Sequence, residues 1–434
     1  MRTVDLIQRK RDGQELPPGE LSALLDSYAR GEVPDYQMSA FLMAVYFSGM
    51  SDPEVTALTS HFLQSGKPLD MSNVPGVKVD LHSTGGVGDS TAMIAAPLAA
   101  SAGVVVPMVS GRAFGAVGGT LDKLESIPGL RTDLSADEFR IQLNQIGIAF
   151  LSERADLSPA ADRLLGMREL TATVESLPLM ASTIMAKKLA SGLDATVIDV
   201  KVGSGAVVKR QVDARRLAQM MVAIARRNDK RLHALITDMS QPLGFAIGNA
   251  LEVMEVSQTL QNAGPNDLTR LSLELAARLI YLGEVTATVE EAREMAQSKL
   301  LDGSGYRKFK DVIEAQGGNP QVLDRFDLLP NATGAREILS PRSGYVSAVN
   351  ARDIGWAASK IGGGRETKDA AIDPAVGVIL EVKVGQKVDE GSVLCRLYYT
   401  RDEALDEAAE DIEDAFRISS QPPEQRDLIL EVVS

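Results

Sequence analysis

A single cysteine, Cys395, stands among 434 residues, so no internal disulfide can form and no thiolate metal cluster has its ligands. Histidine is scarce, at His61, His82 and His233. No apolar run reaches the eighteen residues of a membrane-spanning helix, and Met1 to Lys10 lacks the apolar core of a secretory signal. Positive charge is also short. Lys and Arg number 45 against 59 Asp and Glu, a formal net charge of −14. That balance argues against a nucleic-acid partner, whose phosphates are bound through Lys and Arg. An anionic small molecule would have to be held by a local site working against the overall field. What remains is the composition of an ordinary globular protein, 44% hydrophobic and 24% charged, long enough for two or three domains. The expected setting is the cytoplasm, without membrane contact.

Two glycine-rich turns organise the chain. Val79-Asp80-Leu81-His82-Ser83-Thr84-Gly85-Gly86-Val87-Gly88-Asp89 and Val109-Ser110-Gly111-Arg112 through Gly118-Gly119-Thr120-Leu121-Asp122-Lys123-Leu124-Glu125 each follow an apolar run. Glycines let backbone N–H groups converge on an anion, and Ser83, Ser110 and Thr120 add hydroxyls to the same neighbourhood. Neither turn is followed by the Gly-Lys-Ser/Thr of a P-loop, and neither has dinucleotide spacing. A lone turn of this kind reads equally well as a tight strand-to-helix connection; two within about 40 residues, each with Ser or Thr, favour phosphate.

About 65 residues ahead of these turns read as helices. Leu21, Leu24, Leu25 and Tyr28, then Phe41, Leu42, Val45 and Tyr46, recur at helical spacing, and Ser51 or Asp52 is placed to cap a helix begun by Pro53. From Val77 short apolar runs alternate with helical stretches: Val77 to Asp80, Val104 to Met108, Ile148 to Leu151, Thr196 to Lys201 and Leu232 to Thr237. Near-continuous Val, Ile and Leu predict buried parallel strands, with helices such as Asp213 to Arg227 between them. A helical insertion from about Ser158 to Gly192 interrupts the alternation. From about Ile338 short strands and turns predominate, and Gly385-Gln386-Lys387-Val388-Asp389-Glu390-Gly391 reads as a hairpin of a small hammerhead-like domain. A lipoyl or biotin carrier is disfavoured, because no lysine sits at the modified position of the hairpin motif expected of such carriers. The acidic stretch from Asp402 to Asp414 reads as a solvated helix face.

His82 to Asp89, Ser110 to Arg112 and Gly118 to Glu125 resemble the signature of the thymidine and pyrimidine-nucleoside phosphorylases. The likeness continues through Arg168 to Lys188, Asp199 to Ala206, Thr237 to Gly244 and Gly248 to Val253, essentially the whole chain. It implies an α/β fold with a mixed, mostly parallel sheet, a separate helical lobe and a small C-terminal α+β domain. The corresponding division is 1–68 plus 158–192 for the helical lobe, 69–157 plus 193–333 for the phosphate-binding lobe, and 338–434 for the third domain. The implied reaction joins a pyrimidine nucleoside and orthophosphate to give free base and pentose 1-phosphate. The resemblance places the base at Arg168, Thr183 and Lys187, phosphate at His82, Ser83, Ser110 and Thr120, and catalysis on His82 as a general acid with Arg168 and Lys187. It also implies a homodimer, no organic cofactor, and a potassium ion held mainly by carbonyl oxygens at positions matching Gly88, Ser90, Leu243, Ala246 and Glu255.

Four positions depart from the family pattern. Leu81 replaces a lysine that binds phosphate, Ala92 a Ser or Thr, and Ala116 and Val117 a His-Thr pair. Each lost charge-assisted partner costs on the order of 1.5 to 3 kcal/mol. Lys78, Arg112 and Lys123 are the cations near enough in sequence to compensate, although Lys78 has the opposite strand parity to residue 81. Two readings follow: a phosphorylase with a reduced anion site, or a relative that has lost phosphorolysis and become a hydrolase, a user of another nucleophile or a nucleoside binder.

Overall fold

The structure, a computed structural model, describes residues 2–112, 118–365 and 370–434. The chain opens with helices α1 (Thr3–Arg11), α2 (Pro18–Ala29), α3 (Asp35–Ser48) and α4 (Asp52–Gln64). As expected, Leu21, Leu24, Leu25 and Tyr28 form the buried stripe of α2. Ser51 is the residue that caps α4, in a reciprocal box with Glu54. The Glu54 carboxylate also holds the buried Lys10 ammonium at 2.7 Å and accepts the Leu16 N–H, so one side chain fastens three segments of the bundle.

The α/β part then runs β1 (Val79–Ser83), α5 (Thr91–Ser101), β2 (Val106–Ser110), α6 (Thr120–Leu124), α7 (Ala136–Ile146) and β3 (Ile148–Ser152). The insertion forms α8 (Pro159–Leu170) and α9 (Leu177–Ala190). The α/β part resumes with β4 (Ala195–Val202), α10 (Gln211–Arg227), β5 (Arg231–Asp238), β6 (Ala246–Ile247), α11 (Asn249–Leu260), α12 (Asn266–Leu282), α13 (Val289–Leu301) and α14 (Ser304–Ala315). Strands β1, β4 and β5 are parallel neighbours, and β2 and β3 make a second parallel pair. On β4 alternate residues enter different cores. Ala195 and Val197 face a cluster built with α5, α11 and α12, while Ile198, Val200 and Val202 face one shared with α10 and the helical lobe. Burial on both faces explains the continuous apolar runs.

Strands β1 and β2 reach two to three residues beyond the sequence reading, through Ser83 and Ser110. Ladder pairing carries them on: His82 lies opposite Ile198 and Ser83 opposite Asp199, so backbone partners outweigh the polar side chains.

The last part comprises β7 (Gly334–Leu339), β8 (Gly344–Val349), α15 (Ala351–Ala358), β9 (Gly377–Leu380), β10 (Lys387–Val388), β11 (Val393–Tyr399), α16 (Leu405–Ala415), β12 (Phe416–Ser419) and β13 (Ile429–Val433). Here one expectation is corrected. Residues 385–391 do not close a hairpin on themselves, because β10 pairs with β8 some 40 residues earlier, and Gly385 N–H donates to Val346. The line between residues 333 and 338 is also crossed in both directions. Strand β13 returns to pair antiparallel with β5, and β6 leaves the α/β part to pair with β9. The acidic helix α16 buries Ala408, Ala409, Ile412 and Ala415 and turns its carboxylates outward, as its sequence suggests. No described helix is long and apolar enough to cross a membrane.

Candidate active site

The first glycine-rich turn leaves β1 at Ser83, whose hydroxyl donates to Asp89 Oδ2 at 2.5 Å and accepts the Gly85 N–H. Gly85 and Gly88 have φ of +95° and +70°, and a Cβ on Gly88 would collide with the Leu243 carbonyl oxygen, so this position requires glycine. Behind the turn lies a buried charge network. Lys201 is 2.6 Å from Asp199 and 3.8 Å from Asp89, Thr237 donates to Asp199, and Thr91 donates to Asp89. Lys123 reaches the Asp89 carbonyl at 2.8 Å and Glu252 at 2.6 Å. Burial opposes the Asp89 charge, but Lys201 and Lys123 with the hydroxyls of Ser83 and Thr91 outweigh it and hold the carboxyl below its usual range. Reading by motif overlooked this network. Its signal was present as Asp199 and Lys201, two charges on one face of an otherwise apolar strand.

The second turn leaves β2 at Ser110, whose carbonyl accepts the Glu153 N–H. It re-enters helix at Thr120, where Asp122 Oδ2 accepts the Gly119 N–H at 2.8 Å. Oδ1 of Asp122 meets Arg112 at 3.2 Å and Arg365 at 2.7 Å. Ala116 and Val117 lie outside the described residues.

At the position of the missing lysine, Leu81 is 2% exposed and packs into the apolar core with Val79. Ala92 packs against the same core. None of the three nearby cations substitutes. Lys78 is spent on the carbonyls of Val74 and Gly76 and on Asp194, Arg112 pairs with Glu125 and Asp122, and Lys123 is buried against Glu252. His82 is the penultimate residue of β1, beside the first turn. Desolvation, with Lys188 and Lys187 nearby, lowers its pKa to about 3, so the ring is neutral at pH 7 and can offer a hydrogen bond but not an imidazolium proton.

Helices α8 and α9 bring Arg168, Thr183 and Lys187 into one region. Arg168 is 2% exposed, and its guanidinium donates to the carbonyls of Thr173, Leu179 and Val174 and to the Thr183 hydroxyl. Burial lowers its pKa to about 10. Most of its donors therefore fix the α8–α9 connection rather than point outward. Lys187 bridges Glu153 at 2.6 Å and Asp162 at 2.7 Å; burial disfavours its charge, yet the two carboxylates prevail and raise its pKa. Glu153 follows β3 and lies against Gly111, where a Cβ would come 3.0 Å from its Oε2. The Lys187–Glu153 pair thus joins the helical lobe directly to the second turn.

The positions implied for potassium also converge in part. A Cβ on Gly88 would come 3.2 Å from the Ala246 carbonyl and collide with that of Leu243. Glu255 Oε1 accepts the N–H groups of Phe245 and Ala246, while its buried Oε2 has no partner among the described residues. Burial pushes this carboxyl up to about 8. The Ser90 hydroxyl is committed to Glu252. Carbonyls beside one unmatched carboxylate oxygen fit a monovalent cation; no cluster of three His, Cys, Asp or Glu occurs among the described residues.

Three family models match the chain in succession: the glycosyl transferase family helical bundle domain over residues 4–66, the glycosyl transferase family a/b domain over 76–306, and the pyrimidine nucleoside phosphorylase C-terminal domain over 345–419. The pyrimidine-nucleoside phosphorylase of Geobacillus stearothermophilus is 45% identical over 434 residues, covering 100% of both chains. That of Bacillus subtilis (strain 168) is 44% identical over 421 residues, 97% of each. Among solved structures, anthranilate phosphoribosyltransferase from Thermus thermophilus aligns with a TM-score of 0.58 over 72% of this chain and 99% of that one, at 18% identity, a likeness of fold.

Proposed function

The chain belongs to the pyrimidine-nucleoside phosphorylases of this glycosyl transferase family, and on that premise we propose that it transfers the pentosyl group of a pyrimidine nucleoside to orthophosphate. A phosphate oxygen attacks C1′, the bond from C1′ to the ring nitrogen breaks, and its electron pair leaves with the base, giving pentose 1-phosphate. The observation that carries this reading is the Lys187–Glu153 bridge, which sets a base-side ammonium beside the second glycine-rich turn.

Phosphate is assigned to the two turns, with Ser110 and Thr120 as hydroxyl donors and Ser83 joining them by exchanging Asp89 for a phosphate oxygen. The base is assigned to Lys187, Thr183 and the remaining donor capacity of Arg168. Negative charge grows on the base as the bond breaks, so these cations bind the transition state more tightly than the ground state. Lys187 reaches the base by exchanging Glu153 for a base carbonyl, an exchange suited to lobe closure. His82 acts as a neutral hydrogen-bonding group. Gly88, Leu243, Ala246 and Glu255 would hold a potassium ion, whose contribution is to fix the hinge behind the first turn. A cytoplasmic homodimer through the helical lobe completes the reading, supported by Tyr36 and Phe47, 74% and 80% exposed on α3. The apolar replacements at 81 and 92 reduce the anion site without removing the hydroxyls and backbone donors, and the full-length relatives are phosphorylases. Phosphorolysis is therefore preferred over hydrolysis.

The test is base release from uridine, thymidine, 2′-deoxyuridine and cytidine with and without orthophosphate. Release that requires phosphate and yields one pentose 1-phosphate per base is expected; phosphate-independent release contradicts the reading.

A further inference from the structure

The C-terminal domain touches the second glycine-rich turn at a place that neither the motif nor the reaction explains. Arg365 follows the Gly362-Gly363-Gly364 run and is 12% exposed at its side chain. One terminal nitrogen, Nη2, is 2.7 Å from Asp122 Oδ1. The other carboxylate oxygen of Asp122 accepts the Gly119 N–H, so the arginine and the turn are joined through a single side chain. The second terminal nitrogen, Nη1, is buried and without a partner among the described residues.

A second tie lies alongside. Asn249, at the start of α11, donates from Nδ2 to the Gly363 carbonyl at 3.2 Å. Its Oδ1 packs so closely on Gly118 that a Cβ there would collide with it. One asparagine therefore gauges the distance between the turn and the segment that carries Arg365.

Resting on the phosphorylase reading above, we infer that Arg365 is a positioning residue for phosphate, acting through Asp122 on the turn that carries Thr120. Its effect has two parts. It fixes the carboxylate that ties back Gly119, and it neutralises a buried negative charge that would otherwise repel an anion at this turn. Arg112 does less of this work. It is more exposed, stands 3.2 Å from Asp122, and gives both terminal nitrogens to Glu125 at 2.6 and 2.8 Å.

The experiment compares kcat, KM for orthophosphate and KM for uridine in the unaltered enzyme and in Arg365→Ala, Arg365→Gln and Arg365→Lys. Loss of one charge-assisted contact next to the anion should raise the phosphate KM about tenfold in the Ala and Gln variants. The uridine KM should stay within about twofold, and Lys should restore part of the loss because it restores the charge. Should the Ala variant fail to fold, the Gln and Lys pair carries the same comparison. An unchanged phosphate KM, or equal rises in both KM values with no rescue by Lys, overturns the inference while leaving the phosphorylase assignment standing. Phosphate-independent base release by the unaltered enzyme overturns the assignment, and this inference with it.

Discussion

Behind the first glycine-rich turn, Asp89 meets Lys201 and Lys123 wholly inside the α/β lobe, whereas behind the second turn Asp122 meets Arg112 and, from another domain, Arg365. Lys201 and Asp199 are fully buried side by side on β4, and Thr237 of the neighbouring β5 donates to Asp199. The Arg112 and Arg365 ties of Asp122 are partly exposed, and that of Arg365 crosses from the C-terminal domain. A turn set into a sheet by buried charges moves only with that sheet. One held by ion pairs between domains can be adjusted without disturbing either core. This contrast suits a two-substrate site, with one fixed wall and one that follows the lobes as they close on the base.

The largest effect that tests the contrast is loss of Lys201. Lys201→Met leaves Asp199 without its cation and Asp89 with Lys123 alone, and should cost about 3–5 kcal/mol of stability. Denaturant unfolding measures it, and the loss should well exceed that of Arg365→Ala. Equal losses would erase the distinction between the turns.

Leu81→Lys sharpens the same comparison from the other side. An ammonium among the core residues around Val79 should lower Tm, while its reach along the strand face towards Ser83 should lower the KM for phosphate. An unchanged phosphate KM would locate the anion away from the end of β1. A smaller effect is expected at the potassium position. Glu255→Gln should abolish most of any Tm difference between potassium and sodium chloride solutions, and a difference fully retained in the variant would remove Glu255 from the ion's ligands.

The smallest effect is that of His82. Its folded pKa of about 3 lies below the ordinary value of 6.5, so the stability due to its neutral ring is complete above pH 6.5 and is lost as pH falls towards 3. His82→Asn should make the acid side of the pH–stability curve shallower. The pH profile of kcat/KM should show no ionisation of this residue between about pH 5 and 8; a limb near 6.5 that disappears in the variant would contradict the neutral assignment.

The sequence announced both turns because glycine has few other reasons to recur after an apolar strand, and it announced the parallel strands because burial on both faces makes neighbours such as Val197 and Ile198, or Leu235 and Ile236, both apolar. Helix α4 was equally legible, since its cap depends on residues three apart. Long-range pairing was not. Nothing local in Ile429 to Val433 says that it returns to β5, and nothing near Arg365 names Asp122, 243 positions away. Motif singled out Arg168, Thr183 and Lys187, which α8 and α9 bring into one region, but Arg168's commitment to the carbonyls of Thr173, Val174 and Leu179 depends on how α8 turns into α9.

The central claim is that phosphate, not water, attacks C1′ although Leu81 stands where the family has lysine. The most direct measurement is uridine cleavage in ¹⁸O-labelled water with unlabelled orthophosphate, followed by mass analysis of the sugar product. Unlabelled ribose 1-phosphate, formed in step with uracil, is the predicted result; ¹⁸O-labelled free ribose would show that water is the nucleophile and contradict the account.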